Sequence, residues 1–350
     1  MEGFSYNGKH SNDFHCYFIP DESDNWFASP DFEIYESGDT GKDGGYFYGT
    51  RTKVRSFNLK CYYEDITLAQ REALRRWLGK ETFGELVFDI RPHISYEVRP
   101  TKVVTGKRYA TYNQQTGEET YSGTFNITLS AYRPYGYLDK KYYTGLDDGG
   151  LGQYCGILKQ SMMPTAPTTS SRSFLLYNCG TQTCNTIFRL SGTANSGLTI
   201  TNNTNGTSCT LTSFPSTGYL EIDGDLGSVT WVHGTSRDLA FNYHVSGFIT
   251  LAPYMADEDE VVVSYTSGST SVSRANGIAF NDKFVGKYLY LDGAWRKIVS
   301  VNSNGVATVD SAPSNSGISS ANVVTMNEIS ITGTGITLTR LEVDYSPMIV

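Results

Sequence analysis

The residues able to do chemistry in this chain are scattered rather than grouped. His10, His15, His93, His233 and His244 show none of the i, i+4 spacing that holds a catalytic zinc on a helix. Cys179 and Cys184 are the close cysteine pair. A zinc site there needs two more ligands from Cys155, Cys209 or a histidine, and no Cys-x2-Cys spacing offers them. A Gly-x-Ser-x-Gly nucleophile turn and a phosphate-cradling loop are both missing. Asp257-Glu-Asp-Glu260 lacks ligands at the alternating positions of a cation loop and reads as a solvated hairpin tip. Asp223-Gly-Asp225 reads as a turn. Two constellations suit binding. Trp231, Tyr243 and Trp295 offer flat faces for sugar rings, although Trp231 in a strand and Trp295 in a hairpin suit core packing as well. Arg71, Arg75 and Arg76 share one helical segment, where Arg71 and Arg75 repel mildly and Glu72 can pair with Arg76. A solvated helix face explains these arginines; contact with an acidic partner is the sharper alternative.

The elements that position these residues are mostly strands. Val54–Tyr63 alternates Phe57, Leu59, Cys61 and Tyr63 against Ser56, Asn58 and Lys60. Thr67-Leu-Ala-Gln70 is a capping box opening the helix Leu68–Leu78, whose stripe is Leu74, Trp77 and Leu78, with Gly79 at the C′ position. Glu85–Ile90 alternates Leu86, Phe88 and Ile90, and Thr124–Tyr132 alternates Phe125, Ile127, Leu129 and Ala131. Phe4–Gly8 predicts a short strand entering an Asn-Gly turn, and Thr105–Tyr121 a long protruding hairpin with a polar tip at 113–117. Glycines crowd residues 20–50 and predict an extended or flexible excursion.

Length and composition set the frame. The chain has 350 residues, enough for two or three domains, and its 25 tyrosines with abundant Gly, Ser and Thr favour strands and turns. A net charge of −8 argues against gripping nucleic acid. No apolar run is long enough for a membrane span, and the first residues lack a secretory signal. Synthesis and assembly in a cytoplasm, with reduced structural thiols, are therefore expected. Residues 136–170 read as a linker. Short strands with turn signals from 171 to 269 read as an antiparallel sandwich: Phe174–Tyr177, Thr186–Leu190, Leu198–Thr201, Thr210–Thr212, Tyr219–Asp223, Val229–Val232, Gly247–Leu251 and Val261–Tyr265. Residues 270–328 read as an insertion built on a three-stranded meander, with a hairpin around Asp292-Gly293 and a turn at Asn304-Gly305. The sandwich resumes at 329–350, closing with Thr337–Tyr345 and a bulge near Arg340.

Residues 1–135 resemble the distal tail proteins of long-tailed, siphovirus-type bacteriophages. The resemblance rests on ordered motifs: Phe4-Ser-Tyr-Asn-Gly8, Ser11-Asn-Asp-Phe14, Gly41-Lys-Asp-Gly-Gly45, Cys61-Tyr-Tyr63, Arg75-Arg-Trp-Leu-Gly79, Glu85–Ile90 and Tyr132-Arg-Pro-Tyr135. Tyr177-Asn-Cys-Gly180, Leu220-Glu-Ile-Asp223 and Gly247-Phe-Ile-Thr-Leu251 are similar in outline to the galectin-like domain that such proteins carry. The resemblance implies a mainly β fold. Its parts are an N-terminal β-sandwich with one α-helix, akin to a tail-tube ring domain, and a C-terminal galectin-like sandwich carrying the small inserted β-domain. It further implies a non-enzymatic virion protein of the tail tip. Such a protein forms a hexameric ring that joins the tail tube protein to the adsorption apparatus. Its expected partners are other copies of itself, the tail tube protein, a tail-associated hub or lysin protein, a receptor-binding protein and a host-surface glycan. No cofactor, metal, membrane or specific nucleic-acid contact is implied. The inserted domain departs from minimal members of the family.

In a ring that passes DNA, acidic charge facing the channel would let phosphate slide. The alternative functions are a carbohydrate-binding adhesin, with Trp231, Tyr243 and Trp295 as sugar contacts, and a two-carboxylate glycan hydrolase for which no acid pair stands out.

Overall fold

The computed structural model describes residues 2–19, 31–38, 45–112, 117–138, 141–144, 171–176, 178–253, 261–275, 279–321 and 323–349. They fall into two compact units, Met1–Asp139 with Met348–Val350, and Lys140–Pro347.

The first unit is a sheet bent over a single core. Its order is Lys9–His10, Phe4–Tyr6, Gly84–Phe88, Ile94–Tyr112, Glu119–Ala131, Arg55–Ile66 and Cys16–Phe18. An antiparallel bridge between Glu2 and Phe18 brings the two ends of this path together, so the layers of the expected sandwich are one curled sheet. The alternation read from sequence is the burial pattern: Phe57, Leu59, Cys61 and Tyr63 face inward, as do Phe125, Ile127, Leu129 and Ala131. The Asn7-Gly8 turn has both residues at positive φ, 49° and 73°, which matches the twist of the strands it joins. Helix Leu68–Leu78 lays Leu74, Trp77 and Leu78 on the sheet. Gly136–Leu138 pairs with both Ile94–Ser95 and Met348–Ile349 in this unit, although its sequence reads as the start of a linker.

Three sequence expectations change here. Ile90 lies past the strand end at Phe88 and is 46% exposed, because the chain turns at Asp89. Gly79 is not left-handed: its φ is −89°, and its N–H still bonds Arg75 O at 2.9 Å. A Cβ at Gly79 would sit 2.8 Å from that same oxygen, so close approach, not handedness, selects glycine. Within the glycine-rich excursion, Phe32–Gly38 and Gly45–Thr52 pair as antiparallel strands, with a register shift between Tyr35 and Glu36. Gly41, Gly44, the tip 113–116, most of the linker and Asp257–Glu260 lie outside the described residues.

The second unit holds the sandwich and its insert. One sheet runs Lys141–Thr144, Thr337–Tyr345, Cys184–Thr193, Tyr219–Asp223, Ser228–His233 and Ser236–Leu239. The other runs Ser171–Leu176, Asn327–Gly333, Leu198–Asn202, Ser208–Leu211 and His244–Ser246. Phe188, Leu190, Leu220, Ile222, Leu341 and Val343 of the first sheet are buried, as are Phe174, Ile200, Leu211, Ile329 and Ile331 of the second. The bulge near Arg340 is present: pairing steps from Ser191 opposite Arg340 to Gly192 opposite Leu338. Val261–Tyr265, read as a sandwich strand, lies inside the insert. The insert is a seven-stranded sheet in which Val261–Tyr265 pairs with Ser271–Arg274 and Gly317–Ala321, rather than a three-stranded meander. Val263, Val272, Leu289, Leu291, Ile298 and Val309 give it a core of its own.

Asparagines fix the insert to the sandwich. Asn327 is 1% exposed; its Nδ2 donates to Ala252 O at 2.9 Å and its Oδ1 accepts from Ala252 N at 2.8 Å. Asn202 Nδ2 donates to the same Oδ1 and to Thr250 O, both at 2.8 Å. These bonds supply the exit and return strands with the partners that a sheet would otherwise provide. Asn327→Ala is expected to destabilise the second unit by about 3 kcal/mol in urea unfolding, since several buried polar groups lose their partner together. A change under about 0.5 kcal/mol would show the clamp to be dispensable.

Cys184 is a free buried thiol, and no metal-holding cluster occurs among the described residues. Cys16, Cys61 and Cys209 are likewise free and buried, whereas Cys179 is disulfide-bonded, against the expectation of reduced thiols throughout. Burial pushes the Cys184 and Cys209 thiols up to about 12. Both therefore stay protonated at pH 8 and unreactive in the native state. Iodoacetamide with mass spectrometry should label them only after unfolding; labelling of the folded chain would contradict the assignment.

Candidate interaction surfaces

The paired strands Ile94–Tyr112 and Glu119–Ala131 start in the core and run out of it. Tyr96 and Val98 are buried, yet every residue from Thr101 to Tyr112 is exposed. Register shifts between Pro100 and Lys102 and between Thr105 and Arg108 bend the outgoing strand. The second shift needs Gly106 and Gly123. A Cβ at Gly106 would lie 2.4 Å from Thr124 Oγ1, and one at Gly123 would lie 2.5 Å from Lys107 O. The arm thus presents Val103, Val104, Tyr109 and Tyr112 to solvent, which marks it as a surface meant for contact.

Beside the arm, the helix forms one wall of a groove of about 720 Å³. The capping box fixes that helix: Gln70 N donates to Thr67 Oγ1 at 3.3 Å, and Thr67 N donates to Gln70 Oε1 at 2.8 Å. Leu74, Leu78, Tyr63 and Phe125 line the groove with buried apolar surface, and Arg71, Arg75 and Arg108 are its basic members. Arg71 lies 5.2 Å and Arg108 5.8 Å from the centre of the Tyr121 ring, so one ring holds two like charges near each other. Glu72 pairs with Arg75 at 3.9 Å, not with Arg76. Arg76 Nε donates instead to the Glu72 carbonyl at 3.3 Å, which leaves Arg76 outside the groove lining.

The hairpin Phe32–Thr52 is a separate two-stranded sheet. Its base is held by a 3.2 Å hydrogen bond between Thr52 Oγ1 and the Tyr135 hydroxyl. Phe32, Ile34, Tyr35, Phe47 and Tyr48 are 44–70% exposed. An isolated two-stranded ribbon is marginal in water, and five large apolar side chains on one ask to be covered. Composition flagged this stretch only as glycine-rich; the alternating aromatics within it were the available signal.

The aromatic trio is not assembled. Trp231 is half-buried in strand Ser228–His233, stacks on His233 at 3.9 Å and donates Nε1 to Thr217 O at 2.7 Å. Tyr243 ends the short 3-10 turn Phe241–Tyr243. Trp295 packs against Tyr290 at 5.1 Å and against the cluster of Tyr288, Val324 and Met326, where insert meets sandwich. Asp223 Oδ1 accepts from the Asp225 and Leu226 N–H groups, forming the expected turn. A charged network missed by sequence reading sits on one sheet: Arg189 donates to Glu221 at 2.8 Å and to Asp344 at 3.5 Å, and Arg237 also bonds Glu221. Its members are distant in sequence, so only strand pairing reveals it.

Residues 25–131 match the family described as phage tail protein RIFT-related domain. Across its whole length the chain is similar to the crystal structure of SPP1 Dit (gp 19.1), described as a paradigm of hub adsorption apparatus in phages infecting Gram-positive hosts. The TM-score is 0.51 at 10% identity, covering 100% of each chain. A chain of the phage p2 baseplate in its activated conformation with Sr aligns at a TM-score of 0.39 and 8% identity, over 96% of this chain and 100% of that one, too distant to argue from. No curated protein matches the sequence. Residues 25–131 therefore match a phage tail protein domain, and the chain as a whole shares the fold of SPP1 Dit.

Proposed function

We propose that this chain is a structural hub of a phage tail tip. In this reading the first unit closes a hexameric ring at the end of the tail tube, and the sandwich with its insert engages the adsorption apparatus. The observation that carries the reading is the exposed apolar surface of the first unit, on both the arm Thr101–Tyr112 and the hairpin Phe32–Thr52. A folded unit with a complete core has no reason of its own to display these residues. Repeated contacts between identical copies give them one. The match of residues 25–131 to a phage tail protein domain and the likeness to SPP1 Dit, described as a paradigm of hub adsorption apparatus, support the same assignment. The tail tube protein, a hub or lysin protein and a receptor-binding protein are the partners that this role requires.

No catalytic step belongs to the proposal. The sugar-binding alternative draws no support from geometry, since Trp231 and Trp295 sit in different sheets and each already packs on a neighbouring ring. Light scattering of the purified chain should give six times its 38.7 kDa, with six-fold rings around a central hole in negative stain. A chain that stays monomeric across its soluble concentration range would overturn the self-closing ring.

A further inference from the structure

The first unit presents two surfaces of complementary chemistry that it does not bring together. One is the groove beside helix Leu68–Leu78, floored by Leu74, Leu78 and Phe125 and carrying Arg71, Arg75 and Arg108 against the single carboxylate of Glu72. The other is the first strand of the hairpin with the residue before it, where Asp31, Glu33 and Tyr35 share one face and Phe32 and Ile34 the other, the Tyr35 hydroxyl donates to Glu33 at 3.2 Å, and Glu36 follows a register shift, all six exposed. Within the chain this strand pairs only with Gly45–Thr52 among the described residues.

We propose that the groove receives the Phe32–Glu36 strand of a second copy of this chain. The match is specific in kind. Apolar side chains meet an apolar floor, and carboxylates spaced along an extended segment meet arginines spaced along the wall. Opposite charge selects the partner and its register, while desolvation of Phe32, Ile34 and Tyr35 supplies attraction. The partner is another copy because the acidic strand and the basic groove are both present on every chain, so each subunit gives one contact and accepts one. That is the head-to-tail arrangement that closes into a ring. Arg71 and Arg75 become the electrostatic half of the contact, while Arg76, absent from the lining, plays no part in it.

The inference rests on the ring reading, and a charge swap separates the two. Three full-length variants are compared with the parent by light scattering and negative stain: Arg71→Glu with Arg75→Glu, Glu33→Arg with Glu36→Arg, and all four changes together. These side chains are exposed or line open space, and circular dichroism checks that each variant folds. Each two-site variant should weaken assembly by about tenfold or more, and the four-site variant should recover rings. If the parent forms rings and the two-site variants assemble normally, the docking is wrong and the ring stands. If both two-site variants lose the ring and the four-site variant does not regain it, the two surfaces do not meet each other. If the parent itself never assembles, the ring reading fails and the docking with it.

Discussion

The placement of one indole governs the first unit. Trp77 Nε1 donates to the Tyr6 carbonyl at 2.8 Å, and its ring stacks on Phe14 at 4.6 Å and on Phe4 at 5.7 Å. These contacts tie the helix to the N-terminal hairpin strand and to the short 3-10 turn Ser11–Phe14. The helix has only eleven residues, too few to be stable alone in water. Its orientation therefore comes from this anchor. Because Arg71 and Arg75 lie on the same rigid segment as Trp77, the anchor also decides where their charges stand. The groove is thus a consequence of core packing several residues away.

The second unit meets a different constraint. A sandwich interrupted by an insert must still present adjoining strands to its sheets. The chain leaves after Thr250–Leu251 and returns at Asn327–Gly333, and the hydrogen-bonding side chains of Asn327 and Asn202 hold the two crossings side by side. The insert has its own core, so it needs the sandwich only as a mount. An ion pair between Lys297 and Glu328, with the cluster around Trp295, adds a second point of attachment. Two attachments resist rotation where one would permit it.

Much of this was legible from the residues. Alternation named the inward faces of the strands through Phe57 and Phe125, and the capping box named the start of the helix to the residue. Both signals are local: period-two burial and a three-residue hydrogen-bond cycle need no distant partner. The reading went astray where the deciding contact was remote. The strand Val261–Tyr265 looks like any sandwich strand, and only its pairing with Gly317–Ala321 assigns it to the insert. Ile90 continues an apolar alternation, but the turn at Asp89 removes it from the sheet.

The sequence alone determined a mainly β chain with one capped helix, an inserted β-module and the resemblance to phage tail proteins, because periodicity, caps and turn residues act over a few positions. Tertiary structure decided the curled sheet of the first unit, the asparagine mount of the insert and the pairing of Arg189 with Glu221 and Asp344. It also decided that Trp231 and Trp295 serve packing while Arg71 and Arg75 line a groove. Each of these depends on which distant strands pair, a choice set by the summed burial of many residues and not by any short run of them.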